Sequence, residues 1–397
     1  MPQAPHPRNH SRMMVYSFFG AALISATSSA PTPLYGVYQT LFHLSPGMVT
    51  LIFGAYAFAL LVALLIFGSL SDYLGRKPLI LMAFALNALA LCLFILAQSA
   101  GMLFAARIVQ GLATGIAFPT FGATLLDCDK TRGPLLNSIT AFIGLMIGTL
   151  AGGVLAAFAP FPTQLVYVLL LAFTLTAMLA LAGMPETASL RYGALAALKP
   201  NVAVPLGARA SLLRLSPVNI AGWSLGGFYL SLMPSLVSAV TGIRSPFVGA
   251  AVVATLMLSA TLSVLGLRSM APRLALKIGT GSLIAGVTVT LFGIGAQAVA
   301  LLFLGTAIAG LGFGSNFANV LKLVLPLAQG HERAGLFAAF LVQSYLAFSL
   351  PAILAGLAAP WAGLPNTAFA YGAGIMTLAL VSLAATRSRH VGAQSGL

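Results

Sequence analysis

Gly68-Ser69-Leu70-Ser71-Asp72-Tyr73-Leu74-Gly75-Arg76-Lys77-Pro78 is a polar junction between two runs, residues 47–70 and 78–97. Apart from Asp72, Arg76 and Lys77 at the junction itself, neither run carries a charge. Each run supplies the ~20 apolar residues that a helix needs to cross a bilayer core. The junction therefore reads as a loop at a membrane surface. Gly75 permits a tight turn, and Gly68 allows a neighbouring helix to approach. The Arg76–Lys77 pair holds the loop on the cytoplasmic side. Asp72 is placed to accept hydrogen bonds from Arg76 or from a helix N-terminus.

The rest of the chain repeats this alternation. Of 397 residues, 59% are hydrophobic and only 6% are charged, whereas a soluble domain carries about 25% charged residues. Disorder is excluded as well, because disordered chains are poor in apolar residues. The apolar runs predict spans at 14–38, 47–70, 78–97, 102–126, 136–159 and 164–184, then 215–239, 248–267, 278–296, 299–324, 334–358 and 367–385. All must be helices, because lipid offers the backbone no hydrogen bonds. A cleaved signal peptide is the alternative for the first run, with Arg8 and Arg12 ahead of it and Ser28-Ser29-Ala30 as small residues. The apolar run continues past Ala30 through Pro31, Pro33, Leu34 and Tyr35, which favours a span.

The net charge of +14 resembles a nucleic-acid footprint, but Lys and Arg occur in small groups between the spans. Sixteen fall on one side of the predicted topology and Arg244 alone on the other, with Arg107 and Lys322 inside spans. By the positive-inside rule both termini and the central loop are cytoplasmic. The organisation expected is a tail at 1–13, a six-helix half at 14–184, a central loop at 185–214, a second half at 215–385 and a tail at 386–397. Cys92 within a span and Cys128 in a cytoplasmic loop have no metal-ligand company, and both are expected as free thiols.

The halves match weakly at a separation of about 200 residues. Gln110-Gly111-Leu112-Ala113-Thr114-Gly115 aligns with Ala309-Gly310-Leu311-Gly312-Phe313-Gly314, and Phe118 with Phe317. Six spans plus six, with equivalent loops on one side, is a parallel repeat about an axis along the membrane normal.

The junction sequence resembles the signature loop of the major facilitator superfamily, G-x-L-[AS]-D-x-x-G-R-[KR], at every defined position. Arg107-x-x-Gln110-Gly111 resembles the second signature of that family, R-x-x-Q-G. Gly144-x-x-x-Gly148-Thr149-x-x-Gly152-Gly153 resembles its antiporter signature, with Thr149 where Pro is usual. Met184-Pro185-Glu186-Thr187 resembles the stop that often ends the sixth span. The resemblance implies an all-α membrane protein of twelve transmembrane helices in two six-helix halves related by pseudo-twofold symmetry, nearest the twelve-span efflux branch. It also implies a gating cluster of Asp72, Arg76 and Asp127 that locks the cytoplasmic side, with Gly68, Gly75 and Lys77 shaping the loop. Gly144, Gly148, Gly152 and Gly153 are expected at close helix contacts.

The five acids, Asp72, Asp127, Asp129, Glu186 and Glu332, all map to the cytoplasmic face. The five histidines, at 6, 10, 43, 331 and 390, fall in tails and loops. No carboxylate is expected at mid-membrane to hold a proton or a cationic solute, while Arg107 lies inside the span 102–126, near the outer end of its helix. Arg107 is weighed as a substrate contact against a structural residue bonding carbonyls of a neighbouring span. The substrate-binding candidates are Arg107, Gln110, Tyr35, Trp223, Asn316, Asn319 and Gln343, and Asn316 with Asn319 share a helix face. For the neutral members the alternative is an interhelical hydrogen bond.

The resulting expectation is a secondary transporter in the bacterial inner membrane, working by alternating access and exporting a neutral or anionic compound. Import or facilitated passage of a sugar or organic acid is the alternative. A polytopic enzyme would need a nucleophile, base or metal set, and none is legible. A receptor on the same scaffold would lack a soluble output domain. The partners expected are a small-molecule substrate, the lipid bilayer and protons as candidate coupling ion. Nucleic acid, cofactor and metal are not expected, and the chain is expected to act as a monomer.

Overall fold

A chain in lipid must satisfy its own N–H and C=O groups, and the described residues accordingly form helices and turns, with no strand. The computed structural model describes residues 7–188, 193, 194, 198–330 and 332–387. Its helices are α1 (Pro7–Ser29), α2 (Tyr35–Leu41), α3 (Pro46–Phe67), α4 (Ser71–Leu74), α5 (Arg76–Ile95), α6 (Ala100–Cys128), α7 (Gly133–Phe158) and α8 (Leu165–Leu181). They continue with α9 (Leu206–Ser231), α10 (Met233–Thr241), α11 (Pro246–Gly266), α12 (Pro272–Gly295), α13 (Val299–Val324), α14 (Arg333–Ala362) and α15 (Leu364–Arg387).

Each of the twelve expected spans coincides with one of these helices or with a broken pair. By length and composition ten of the described segments suffice to cross a membrane, and α9 with α10, bent by 64°, would make an eleventh. The remaining one, α8, has 17 residues and reaches only ~26 Å at 1.5 Å per residue. Three boundaries differ from the sequence reading. His10 lies within α1 rather than in a tail, α9 begins at Leu206 inside the expected central loop, and Cys128 closes α6 rather than lying in a loop. Cys92 and Cys128 are free thiols. His6, His331 and His390 lie outside the described residues.

Local chemistry sets these ends. Ser99 caps α6, its Oγ accepting the Met102 N–H at 3.3 Å. After α6, Asp129 Oδ1 accepts the N–H groups of Arg132 at 2.9 Å and Thr131 at 2.8 Å. These two bonds favour the ionised carboxylate and hold the Asp129 carboxyl below its ordinary pKa. Prolines make the breaks. The first span stops at Ser29 and resumes at Tyr35, across Pro31 and Pro33, and α9 turns into α10 just ahead of Pro234.

The chain divides into two compact units, Met1–Leu44 with Leu51–Pro200, and Ser45–Thr50 with Asn201–Leu397. In the first, Met13, Ile24, Leu79, Phe84, Ile116 and Phe121 form a buried core, and the Phe84 and Phe121 rings meet edge-on at 5.8 Å. Asn87 ties three helices together: its Oδ1 accepts from Thr27 Oγ1 at 2.9 Å and its Nδ2 donates to Thr174 Oγ1 at 3.1 Å.

The internal repeat reappears as packing. A Cβ on Gly111 or Gly115 of α6 would collide with the Tyr56 and Leu60 carbonyls of α3. A Cβ on the aligned Gly310 or Gly314 of α13 would collide with the Leu256 and Ala260 carbonyls of α11. The same pair of small residues thus seats the same pair of carbonyls in each unit, about 200 residues apart. On α7, Gly144, Gly148 and Gly152 meet the carbonyls of Ala22, Ala26 and Ala30 in succession, and Gly153 is buried beside them. Thr149, in the place of the usual Pro, leaves α7 continuous, its hydroxyl bonded to Leu145 O at 2.8 Å.

Candidate functional site

The prolines that break the first span leave acceptors behind. The Thr27 carbonyl would receive the N–H of residue 31, but Pro31 has none. Gln110 Nε2 donates to it instead at 2.8 Å. One residue on, the Ser28 carbonyl accepts from Arg107 Nη1 at 2.7 Å. Arg107 Nη1 also donates to Gln110 Oε1 at 2.7 Å, and Nε to the Tyr35 hydroxyl at 3.0 Å, with Nη2 on the same hydroxyl. The three-residue spacing of Arg107 and Gln110 puts both on one face of α6, and that face reads the broken end of α1.

Arg107 is completely buried, as is Gln110. Its guanidinium lies 5.0 Å from the Tyr56 ring centroid, 5.6 Å from Tyr35 and 6.0 Å from Phe53. Every hydrogen bond described for it ends on a neutral oxygen, and its described ring neighbours are aromatic. Both described ion pairs belong to Arg76 instead. Of the two roles open to Arg107, substrate contact and carbonyl bonding, the carbonyl bonding is present in this structure and the side chain is closed off.

Among the second unit's candidates, Gln343 pairs with Asn219 of α9. Asn219 Nδ2 donates to Gln343 Oε1 at 3.0 Å and to Ser344 Oγ at 3.1 Å, and Gln343 Nε2 donates to Ser216 Oγ at 2.7 Å. Asn316 and Asn319 share a helix face but not a partner set. Asn319 Nδ2 turns back to the Ser315 carbonyl of its own helix at 2.8 Å, while Asn316 lines a narrow crevice with Trp223.

The gating candidates converge around Arg76, which is only 6% exposed. Its Nη1 bonds Asp72 Oδ1 and Ser71 Oγ, both at 2.6 Å, and its Nε bonds Asp127 Oδ2 at 2.9 Å. Gly68 is crowded by the Leu64 carbonyl of its own preceding turn, not by a neighbouring helix as the sequence suggested. Lys77 lies at the rim, its Nζ 3.4 Å from the Ala182 carbonyl.

The residue missed from sequence is Glu186. Its Oε1 accepts the Arg76 N–H at 2.9 Å and its Oε2 the Lys77 N–H at 3.0 Å, so a carboxylate from the exit of α8 caps α5. Gly75 sits at φ +100°, and a Cβ there would also lie 2.8 Å from Glu186 Oε2, which accounts for the glycine twice over. Thr187 Oγ1 extends the cluster to Asp127 Oδ2 at 3.4 Å. An acid after a stop signal was visible in the sequence, but its target 110 positions upstream was not. Glu186→Ala should speed amide exchange at Arg76 and Lys77 roughly fivefold to tenfold, equivalent to about 1 kcal/mol for a lost cap. Unchanged hydrogen–deuterium exchange there would show that the cap is dispensable.

A sequence profile of the Major Facilitator Superfamily matches residues 17–287. The chain is 32% identical over 116 residues to multidrug resistance protein MdtL of Shewanella sp. (strain ANA-3), 28% of this chain and 29% of that protein. It is 34% identical over 126 residues to a staphyloferrin B transporter of Staphylococcus aureus (strain NCTC 8325 / PS 47), 30% of this chain and 29% of that one. The matches thus span under a third of either relative. The fold resembles a bacterial homologue of the human lysosomal transporter Spinster, solved inward-facing and unoccupied, with a TM-score of 0.75 at 15% identity over 96% of this chain and 97% of that one.

Proposed function

The chain belongs to the major facilitator superfamily; from that premise we propose that it is a secondary transporter and exports small anionic organic compounds. The observation that carries this reading is Arg107, wholly buried and hydrogen-bonded only to neutral oxygens. All five acids lie at helix ends or in loops. At an effective dielectric near 20, an uncompensated charge attracts an anion about 8 Å away by roughly 2 kcal/mol and repels a cation equally. Similarity to a multidrug resistance protein supports export.

Two units built on one repeat suit alternating access. The excess of Lys and Arg on one side of the topology supports a multipass membrane protein with both termini cytoplasmic. Export against a gradient draws on the proton gradient, with the anion itself or the Asp72–Asp127 cluster carrying the proton. The test is flux in proteoliposomes of one lipid composition, with organic anions, neutral solutes and organic cations compared under an imposed proton gradient. Protein-dependent anion flux is expected. Flux of cations alone would overturn the reading.

Within the same proposal, Asp72, Arg76 and Asp127 form the cytoplasmic lock, and Glu186 holds its geometry. Arg76 is nearly buried, so its pairs are worth more than the ~0–1 kcal/mol of exposed ones. Arg76→Ala should increase labelling of cysteines engineered on the cytoplasmic side of the pathway and decrease it on the opposite side. Equal labelling in both proteins would remove the lock.

A further inference from the structure

Among the described residues, two buried N–H donors in the second unit, Trp223 Nε1 and Asn316 Nδ2, have no acceptor. Asn316 is 2% exposed; its Oδ1 lies 3.5 Å from Thr280 Oγ1, whose proton goes to the Leu276 carbonyl at 2.7 Å, and in this orientation of the amide Nδ2 has no acceptor. Both side chains line one crevice between α9 and α13, walled by Val218, Asn219, Gly222, Phe313 and Phe317. The crevice is too tight to admit a whole water molecule. Aromatic faces surround Trp223, with Tyr345 at 5.1 Å and Phe317 and Phe348 at 5.9 Å.

A buried donor without a partner costs about 1–3 kcal/mol, and native proteins rarely place two side by side. Here both unmatched groups are N–H donors, and apart from Asn219, whose Nδ2 is held by Gln343 and Ser344, the remaining walls are apolar or aromatic. A ligand that brings oxygen acceptors on a flat ring would satisfy the donors and stack on the walls once Trp223 turns aside. A ligand bearing only donors or a positive charge would leave both groups unmatched.

We propose that this crevice is the recognition site for the substrate's planar part, an aromatic ring carrying a carbonyl or carboxylate oxygen, read by Trp223 Nε1 and Asn316 Nδ2. The assignment rests on the transporter reading above and names the substrate class within it. Because it needs the crevice to open, the ligand binds the open arrangement better and shifts the population toward it.

The chain has two tryptophans, and the other, Trp361, is 91% exposed. In Trp361→Phe the emission reports Trp223 alone. Benzoate and acetophenone should change that emission saturably, cyclohexanecarboxylate weakly and benzylammonium not at all. Asn316→Leu in the same background should raise the apparent Kd for benzoate roughly fivefold to tenfold, the scale of one hydrogen bond. If that variant does not fold, Trp223→Phe keeps the ring and removes the donor, and thermal stabilisation by benzoate should fall by the same factor in affinity. Equal responses to benzylammonium and benzoate, or a benzoate Kd that ignores both substitutions, would overturn the site. Arg107-dependent anion flux with such a result would leave the transport reading standing and this one fallen. Acetophenone binding at Trp223 without any anion flux would do the reverse.

Discussion

Arg107→Gln is expected to weaken the binding of anionic solutes by about tenfold to thirtyfold and to strengthen that of cationic ones by a similar factor, with little loss of folded protein. The estimate follows from the roughly 2 kcal/mol that a buried charge exerts across about 8 Å. Stability should change little because two effects oppose. The variant loses charge-assisted bonds to Ser28 O and Tyr35 Oη, but it also removes a charge that is costly to keep in a dry interior. Arg107→Lys separates field from contact. Lysine keeps the charge and loses the planar fork that spans Tyr35, Ser28 and Gln110. Since the side chain is closed off in this structure, Lys should keep the anion preference and lower only the rate. Proteoliposome flux of one anion and one cation through all three proteins checks this. An unchanged preference in Arg107→Gln would make Arg107 a pin between α1 and α6 and end the case for anions.

The largest stability effect is expected at the repeated glycines. Gly115→Leu or Gly314→Leu drives a side chain into the Leu60 or Ala260 carbonyl, and the blocking atoms are backbone on a packed helix that has no free rotamer. Overpacking costs about 1–3 kcal/mol where side chains can shift, and more is expected here, against a total stability of about 5–15 kcal/mol. Each variant should lose most of its folded yield. Gly281→Ala is the control: a Cβ there meets nothing within 4 Å, and α12 should gain roughly 0.5–1 kcal/mol from the better helix former. Detergent melts decide it, and a Gly314→Leu protein melting within a few degrees of the parent would show that α11 and α13 can separate without penalty.

What was legible before the fold was known followed one rule: properties carried by a residue and its near neighbours can be read along the chain. Spans show as apolar length, and the α4–α5 turn as Gly75 before Arg76 and Lys77. Even Arg76 with Asp72 was readable, since four residues bring them together across the turn. Gly68 misled, because a glycine at the end of a helix looks alike whether a neighbour or its own preceding turn crowds it.

The tertiary structure decided the partners. Asn316 and Asn319 are equivalent by helical spacing, yet Asn319 is satisfied by its own helix and Asn316 is not. Gln110 looked like a lining residue until Pro31 placed an unclaimed carbonyl opposite it. Glu186 read as a stop signal until the end of α8 came against the start of α5. The sequence by itself determined that the chain is a membrane helical protein built on a repeat, because burial in lipid acts on each segment separately. Which buried polar groups are paired, and which are left to meet a ligand, depended on the few ångströms between helices that sequence separation does not measure.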